Sequence, residues 1–161
     1  MKLKDILSEG DLRQWLRTQA PRVGIDLQWV EPALYGSSVG APDVIMKHSV
    51  DVPISIELKI LLQMKKGIKF TLRPAQRRWH HMGKKYSALL FVELNTVNKL
   101  WLVRGDKIPL RDYASHKDSG CKDGICDMWI INRVDTFSDE SVMRYLKFLL
   151  FGVESHFWIG E

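Results

Sequence analysis

The chain has 161 residues, of which 45% are apolar and 27% charged, and its formal net charge is +5. This composition is that of an ordinary globular protein, which excludes a disordered or collagen-like chain, and the length suits a single domain over residues 1–161. No apolar run reaches the roughly 18 residues of a membrane span. The N-terminus has no apolar signal region, and two cysteines make no disulfide framework. We therefore expect a cytoplasmic protein without membrane association.

The first half of the chain predicts one helix and three strands. Ser8 is typical of a helix N-cap and Asp11 of the acid in a capping box, while Pro21 ends the helix. Alternating side chains predict a strand over 26–35. Two further strands, at 43–47 and 53–61, are joined by a short polar link, which predicts an antiparallel hairpin.

The second half predicts two more helices and three more strands. Pro74 opens a helix that runs to about residue 84, and within it we assign Trp79 and Met82 to the core. Beyond it we expect strands at 87–93, 99–104 and 129–134, an irregular insertion at 105–128, and a last helix that Ser138 caps and that runs to about Phe151. This order predicts an α/β fold with a mixed central sheet flanked by helices, plus a C-terminal helix.

The hairpin places ionisable side chains together. If its turn centres near Val50, Asp43 lies opposite Glu57, and strand alternation puts Lys59 on the same face. Opposed carboxylates repel each other unless they share a cation, and oxygen ligands favour Mg²⁺ or Mn²⁺. The alternative is a simple ion pair between Glu57 and Lys59 on the strand face.

These residues carry a resemblance to a known family. Gly-Ala-Pro-Asp at 40–43, followed by Ile-Glu-Leu-Lys at 56–59, resembles the Pro-Asp and Glu-x-Lys motif of the PD-(D/E)XK nuclease superfamily. The stretch Leu-Arg-Pro-Ala-Gln-Arg-Arg-Trp at 72–79 is similar to the second helix of VRR-NUC-type and Holliday-junction-resolvase-like members, which often carry a glutamine there. The resemblance covers about residues 8–104 and implies a restriction-endonuclease-like αβββαβ core; it does not extend to residues 105–161.

The resemblance also implies residue roles. Asp43 and Glu57 would ligate a divalent metal together with the backbone carbonyl of Leu58, Lys59 would orient the attacking water or stabilise the phosphate, and Gln76 belongs to the catalytic set. Members of the family often supply one more acid from the first helix or strand. The candidates for it are Glu31, then Glu9, and Asp11, which capping already explains.

The positive charge is concentrated in the middle of the chain. Residues 61–120 carry 13 Lys/Arg against 4 Asp/Glu, whereas the segments on either side are net negative. On the second helix a polar, mostly basic stripe recurs at three- and four-residue steps, with further lysines in the preceding loop. We predict that this surface contacts DNA phosphates through Arg73, Arg77, His80, Lys84, Lys66 and Lys69. A solvated face without a ligand is the alternative.

Two features outside the motif are less informative. Cys121 and Cys126 are too far apart for a typical zinc pair and lack a fourth ligand, so free thiols or an oxidative bridge are expected. The last helix is apolar on a broad face, which is typical of core packing but also fits a homodimer interface.

The resemblance and the charge pattern together lead to a functional expectation. We expect a Mg²⁺- or Mn²⁺-dependent DNA endonuclease that hydrolyses phosphodiester bonds, selective for branched or junction DNA, in recombination, repair or phage DNA processing. If the chain is phage-encoded, its compartment is the host cytoplasm. The alternative is a catalytically inactive DNA-binding or assembly module on the same fold.

Overall fold

The structure is a computed structural model that describes residues 1–30, 40–62, 67–69, 72–94, 98–108, 113–115, 128–130 and 138–152. In these ranges the helices are α1 (Glu9–Gln19), α2 (Pro74–Gly83) and α3 (Asp139–Phe151). The strands are β1 (Asp26–Trp29), β2 (Val44–Lys47), β3 (Ile54–Leu62), β4 (Gly67–Lys69), β5 (Ser87–Leu94), β6 (Lys99–Arg104), β7 (Tyr113–Ser115) and β8 (Met128–Ile130).

Six of the strands form a mixed sheet in the order β1-β2-β3-β5-β6-β8. Only β3 and β5 are parallel, and α2 lies between them in the chain, as a parallel connection requires. The other neighbouring pairs are antiparallel. The prediction of an α/β fold with a mixed sheet flanked by helices is therefore confirmed.

The helices lie on opposite faces of the sheet. On one face, α1 and α3 pack against the strands and bury residues such as Trp15, Leu146 and Leu58 in the larger core. On the other face a smaller apolar cluster, which includes Phe91 and Trp101, lies beneath the α2 side. Alternation along β3 sends Ile56, Leu58 and Ile60 to the first face, and Glu57, Lys59 and Leu61 to the second, which agrees with the shared face predicted for Glu57 and Lys59.

The ends of the first and last helices follow the sequence signals. Ser8 caps α1 by accepting a hydrogen bond from Asp11 N, and Asp11 in turn accepts one from Leu7 N. Ser138 caps α3 in the same manner through Ser141 N. Capping therefore accounts for Asp11, which leaves its carboxylate engaged with the backbone rather than directed at the sheet.

Some predicted boundaries were wrong. The strand predicted over 26–35 ends at Trp29, and residues 31–39 lie outside the described residues. The predicted basic loop before α2 and the predicted irregular insertion each contribute a short strand, because β4 pairs with β7 in a separate two-stranded sheet. The last strand spans 128–130, and the rest of the range predicted for it lies outside the described residues.

Two close backbone approaches hold α2 in place. A Cβ built on Gly40 would lie 2.6 Å from the carbonyl oxygen of Ala75, and the φ of Gly40 is +98°. A Cβ on Gly105 would overlap the carbonyl oxygen of His80. Glycine is required at both positions for steric reasons, and these contacts bring the segment before Asp43 and the segment after β6 against the helix.

Candidate active site

The hairpin register places Asp43 beside Glu57. Val44 pairs with Ile56, and Asp43 lies directly before this pair. Asp43 N donates to Ile56 O over 3.0 Å, and Leu58 N donates to Asp43 Oδ2 over 2.8 Å. The predicted register is confirmed for residues 44–46 of β2, and it brings Asp43, directly before β2, close to the part of β3 that carries Glu57.

Glu57 lies at the centre of the site and is only 2% exposed. Its Oε1 accepts a hydrogen bond of 2.7 Å from Gln76 Nε2, and Lys59 Nζ lies 3.6 Å from the same oxygen. Its Oε2 is 3.7 Å from His80 Nε2, which is too long for a hydrogen bond. Within the described part of the chain, both of these buried atoms lack a hydrogen-bond partner.

Burial raises the pKa of the Glu57 carboxyl above its ordinary value, because the charged form loses hydration. The neighbouring Asp43 charge raises this pKa further, whereas His80 and Lys59 lower it. The raised pKa is a mark of a carboxyl that is costly to ionise where it stands. Such groups are common at functional sites.

This raised pKa predicts how stability depends on pH. In EDTA the unfolded chain releases the Glu57 proton at a lower pH than the folded chain does, because the pKa of Glu57 is raised in the folded chain. Glu57 therefore makes the free energy of unfolding fall as the pH rises above the ordinary pKa of a glutamate carboxyl. We expect the loss to be smaller in Glu57→Gln, measured by denaturant unfolding between about pH 5 and pH 8. Glu140→Gln, a half-exposed control on α3, should follow the wild type. Parallel curves for wild type and Glu57→Gln would contradict the assignment.

Asp43 is held by a cation that the sequence did not indicate. Arg13 Nη2 donates to Asp43 Oδ1 over 2.7 Å and lies 3.6 Å from Glu9 Oε1. The spacing of Glu9 and Arg13 is a recognisable helical ion pair. No sequence signal, however, indicates that α1 packs where β2 begins. The structure thus brings Glu9, one of the candidate additional acids, to the same cluster through Arg13, while Glu31 lies outside the described residues.

The inward face of α2 is polar. Gln76 is 4% exposed, and its Nε2 donates to Glu57. Its Oε1 accepts a hydrogen bond of 2.9 Å from Arg73 N, so both ends of the amide group are fixed. His80, one turn later, is fully buried, and its Nδ1 is hydrogen-bonded to Ser87 Oγ. The expectation that His80 grips DNA from the surface is therefore wrong, because this side chain belongs to the carboxylate cluster.

The outward face of α2 also differs from expectation. Trp79 and Met82, predicted to be core residues, are 45% and 82% exposed. The physical reason is that the helix faces the sheet with Gln76 and His80, which complement Glu57, so its large apolar side chains point to solvent. Helical periodicity alone does not show which of two faces meets the sheet.

The predicted DNA-contacting residues are only partly grouped. Arg73 and Lys84 are exposed at the two ends of α2, and Arg77 between them is half-buried. His81 donates to the Ile108 carbonyl oxygen over 2.9 Å, so it contacts the segment after β6. Lys69 lies on β4, and Lys66 lies outside the described residues.

Other sequence features lie elsewhere. Cys121 and Cys126 are outside the described residues. The apolar face of α3 is buried in the larger core through Val142, Met143 and Leu146, which agrees with the core-packing interpretation, and a homodimer remains a prediction. None of the described helices combines the length and apolar character needed to cross a lipid bilayer.

The fold and the site define an α/β protein with a mixed sheet that carries a carboxylate–lysine–glutamine cluster on the α2 face. In the described ranges, no group of three or more His, Cys, Asp or Glu side chains is arranged to hold a metal ion. Comparison of the chain with protein-family models, curated proteins and solved structures finds no match.

Proposed function

We propose that the protein is a divalent-metal-dependent DNA endonuclease with a restriction-endonuclease-like core. The observation that carries the proposal is the convergence of Asp43, Glu57 and Lys59, where one carboxylate oxygen of Glu57 is buried and unpartnered among the described residues. A buried carboxylate oxygen without a hydrogen bond is costly unless a cation meets it, and the nearest polar atom to Oε2 is His80 Nε2 at 3.7 Å. The Pro-Asp and Glu-x-Lys motif of the PD-(D/E)XK nucleases consists of the same three residues.

The order of elements supports this proposal. From α1 to β5 the main sheet and its flanking helices follow the order αβββαβ, with the short β4 as an addition before α2. The motif residues fall on the second and third of these strands, or directly before them, and Gln76 falls on the second helix. Both placements are those that the resemblance implies.

The donor set fits a hard cation. Asp43 and Glu57 would hold Mg²⁺ or Mn²⁺ with the Leu58 carbonyl, because these ions prefer carboxylate and carbonyl oxygens. Glu57 Oε2 is the orphaned atom that such an ion would satisfy. A bound divalent ion would supply phosphate charge neutralisation and a more acidic water at this position.

The remaining side chains have defined tasks in phosphodiester hydrolysis. Gln76 fixes the Glu57 carboxylate by donating to Oε1, so that Oε2 keeps its direction. Lys59, with its ammonium 3.6 Å from Glu57 and its side chain 20% exposed, can orient an attacking water and stabilise the negative charge that develops on the phosphate. Arg13 neutralises Asp43 when no other cation is present.

The experiment that tests the proposal compares DNA cleavage with Mg²⁺ and with EDTA. Supercoiled plasmid and a four-way junction are incubated with the wild type and with Asp43→Asn, and products are separated by electrophoresis. Cleavage by the wild type alone, and only with the metal, supports the proposal, and faster cutting of the junction supports structure selectivity. Metal-independent cleavage, or none on any DNA, contradicts it.

A second candidate is favoured by one observation. Arg13 forms a close ion pair with Asp43, and such a pair is a complete partner for this carboxylate. A site stabilised in this manner without metal is consistent with a non-catalytic DNA-binding or assembly module. The two candidates differ in whether a divalent ion competes with Arg13.

Replacing Arg13 measures that competition. We expect Arg13→Ala to lower the free energy of unfolding by about 1–3 kcal/mol in EDTA, because Asp43 loses a charged hydrogen-bond donor. We also expect Mg²⁺ to raise the Tm of Arg13→Ala more than that of the wild type. Arg17→Ala is the matched control, since Arg17 lies over Trp29 like Arg13, whereas the side-chain partners of Asp43 in the described residues are Arg13 and Leu58 N. Equal Mg²⁺ effects on all three proteins would favour the non-catalytic candidate.

Salt dependence tests the phosphate contacts predicted at the ends of α2. Arg73 and Lys84 are exposed, so if each neutralises one phosphate, replacing either by alanine should flatten the plot of log affinity against log salt by about 0.9 on duplex DNA. The loss should be similar for unrelated sequences. Arg22→Ala, exposed in the turn after α1, is the control. An unchanged slope in the double variant would place the duplex elsewhere.

A further inference from the structure

Large apolar side chains are exposed along and just after α2. Trp79 is 45% exposed, Met82 82% and Tyr86 43%. Trp79 and Met82 are three residues apart in the helix and therefore share a face. Tyr86 ends the short 3₁₀ turn that follows the helix. Two aromatic rings and a thioether in so short a segment are costly to leave in water, which is a mark of a binding surface.

Cations are interleaved with these side chains. Arg78 is exposed and stands one turn before Met82, and Lys85 Nζ lies 5.0 Å from the centroid of the Tyr86 ring. Residues 73–86 contain five Lys/Arg and no Asp or Glu. We call Arg78, Trp79, Met82, Lys85 and Tyr86 the aromatic–basic surface.

We propose that the aromatic–basic surface binds an unpaired, single-stranded segment of DNA. Exposed aromatic rings stack on unpaired bases while neighbouring cations follow the phosphates, which is how proteins hold single strands without reading sequence. In a duplex the base faces are already covered by their neighbours, so Trp79 and Tyr86 would gain no stacking there. The absence of acidic residues from the segment favours a polyanion over a protein partner.

The position of the surface narrows the substrate of the proposed nuclease, on which this inference rests. The same helix presents Gln76 and His80 to Glu57 on its inward face. The width of one helix, about 10 Å, therefore separates Arg78 and Met82, on the opposite side of α2, from the carboxylates. DNA with an unpaired segment next to a duplex, such as a flap or an open junction, has both parts that this arrangement would hold.

Binding in EDTA tests the surface without cleavage. Fluorescence anisotropy compares an oligothymidylate with a duplex of equal length, using wild type, Trp79→Ala, Tyr86→Ala and Trp79→Phe. We expect each alanine variant to weaken single-strand binding by at least about fivefold while duplex affinity is unchanged, and Trp79→Phe to restore it. Val50→Ala removes an apolar side chain that is 96% exposed at another position and should bind as the wild type does.

The salt dependence separates stacking from charge. Trp79→Ala should leave the slope of log affinity against log salt unchanged, whereas Arg78→Ala should flatten it by about 0.7 on the single strand. Unchanged single-strand affinity in both Trp79→Ala and Tyr86→Ala overturns the inference. So does an equal loss on single strand and duplex, or self-association that depends on Trp79 with no single-strand binding.

The two proposals can fail separately. If the proposal about the aromatic–basic surface is wrong, Trp79→Ala binds the oligothymidylate like the wild type, while Mg²⁺-dependent cleavage of plasmid persists. If the nuclease proposal is wrong, the wild type does not cleave DNA with Mg²⁺, whatever the anisotropy shows. The anisotropy measurement needs no metal, so its outcome does not depend on the carboxylates.

Discussion

Asp43→Asn and Glu57→Gln are each expected to lower the rate of Mg²⁺-dependent DNA cleavage by about two to three orders of magnitude, the scale on which a preorganised electrostatic group contributes to catalysis. Each amide retains an oxygen that can accept the existing hydrogen bond, from Leu58 N at position 43 and from Gln76 at position 57. It removes the negative charge on which cation binding depends. The measurement is the rate of plasmid nicking at saturating Mg²⁺, with circular dichroism to show that each variant is folded.

Matched amide substitutions elsewhere control for this result. Asp51→Asn removes a carboxylate that pairs with His48 in the hairpin turn, away from the cluster, and should cleave at the wild-type rate. If Asp43→Asn or Glu57→Gln cuts DNA as fast as the wild type at the same Mg²⁺ concentration, the carboxylates are not the metal ligands and the nuclease proposal fails.

Lys59→Met is expected to lower the rate of cleavage on a similar scale, while the protein still binds the cation. The Lys59 ammonium lies 3.6 Å from Glu57 Oε1 and is not a metal ligand, so its removal takes away charge stabilisation at the phosphate rather than a donor atom. Calorimetric titration with Mn²⁺ should still detect one binding event. Because Lys59 lowers the pKa of Glu57, removing it raises that pKa, so binding in the variant should begin to weaken at a higher pH than in the wild type.

Lys47→Met, at the exposed end of β2, is the control for loss of a positive charge. Lys59→Met that loses both Mn²⁺ binding and cleavage would mean that the lysine holds the carboxylate in place and has no separate part in the chemistry. Wild-type cleavage by Lys59→Met would exclude it from the reaction.

The hairpin register was predictable because it depends on short-range geometry. Two strands joined by a short link pair about the centre of that link, so the link near Val50 fixes the pairing of Val44 with Ile56 and brings Asp43 near Glu57. The same local reasoning gave the two faces of β3 and the caps of α1 and α3.

The rest of the site depends on long-range docking, which the chain does not encode locally. Arg13 reaches Asp43 across 30 positions of sequence, and only the packing of α1 against the sheet brings them together. The prediction of which face of α2 is buried was wrong for a related reason. The apolar pattern favours Trp79 and Met82 as the buried side, but hydrogen bonding to Glu57 selects the polar side instead. The β4–β7 pair likewise joins segments far apart in sequence.

The central position of β3 in the sheet determines how well the site resists local unfolding of the protein. β3 lies between β2 and β5, with helices packed on both faces, so its amide hydrogens should exchange with solvent among the slowest in the molecule. Glu57 and Lys59 are built into this strand, whereas Trp79 and Tyr86 stand on the outer rim. Local unfolding of the outer elements would therefore weaken ligand binding at Trp79 and Tyr86 before it changes the spacing of Glu57 and Lys59.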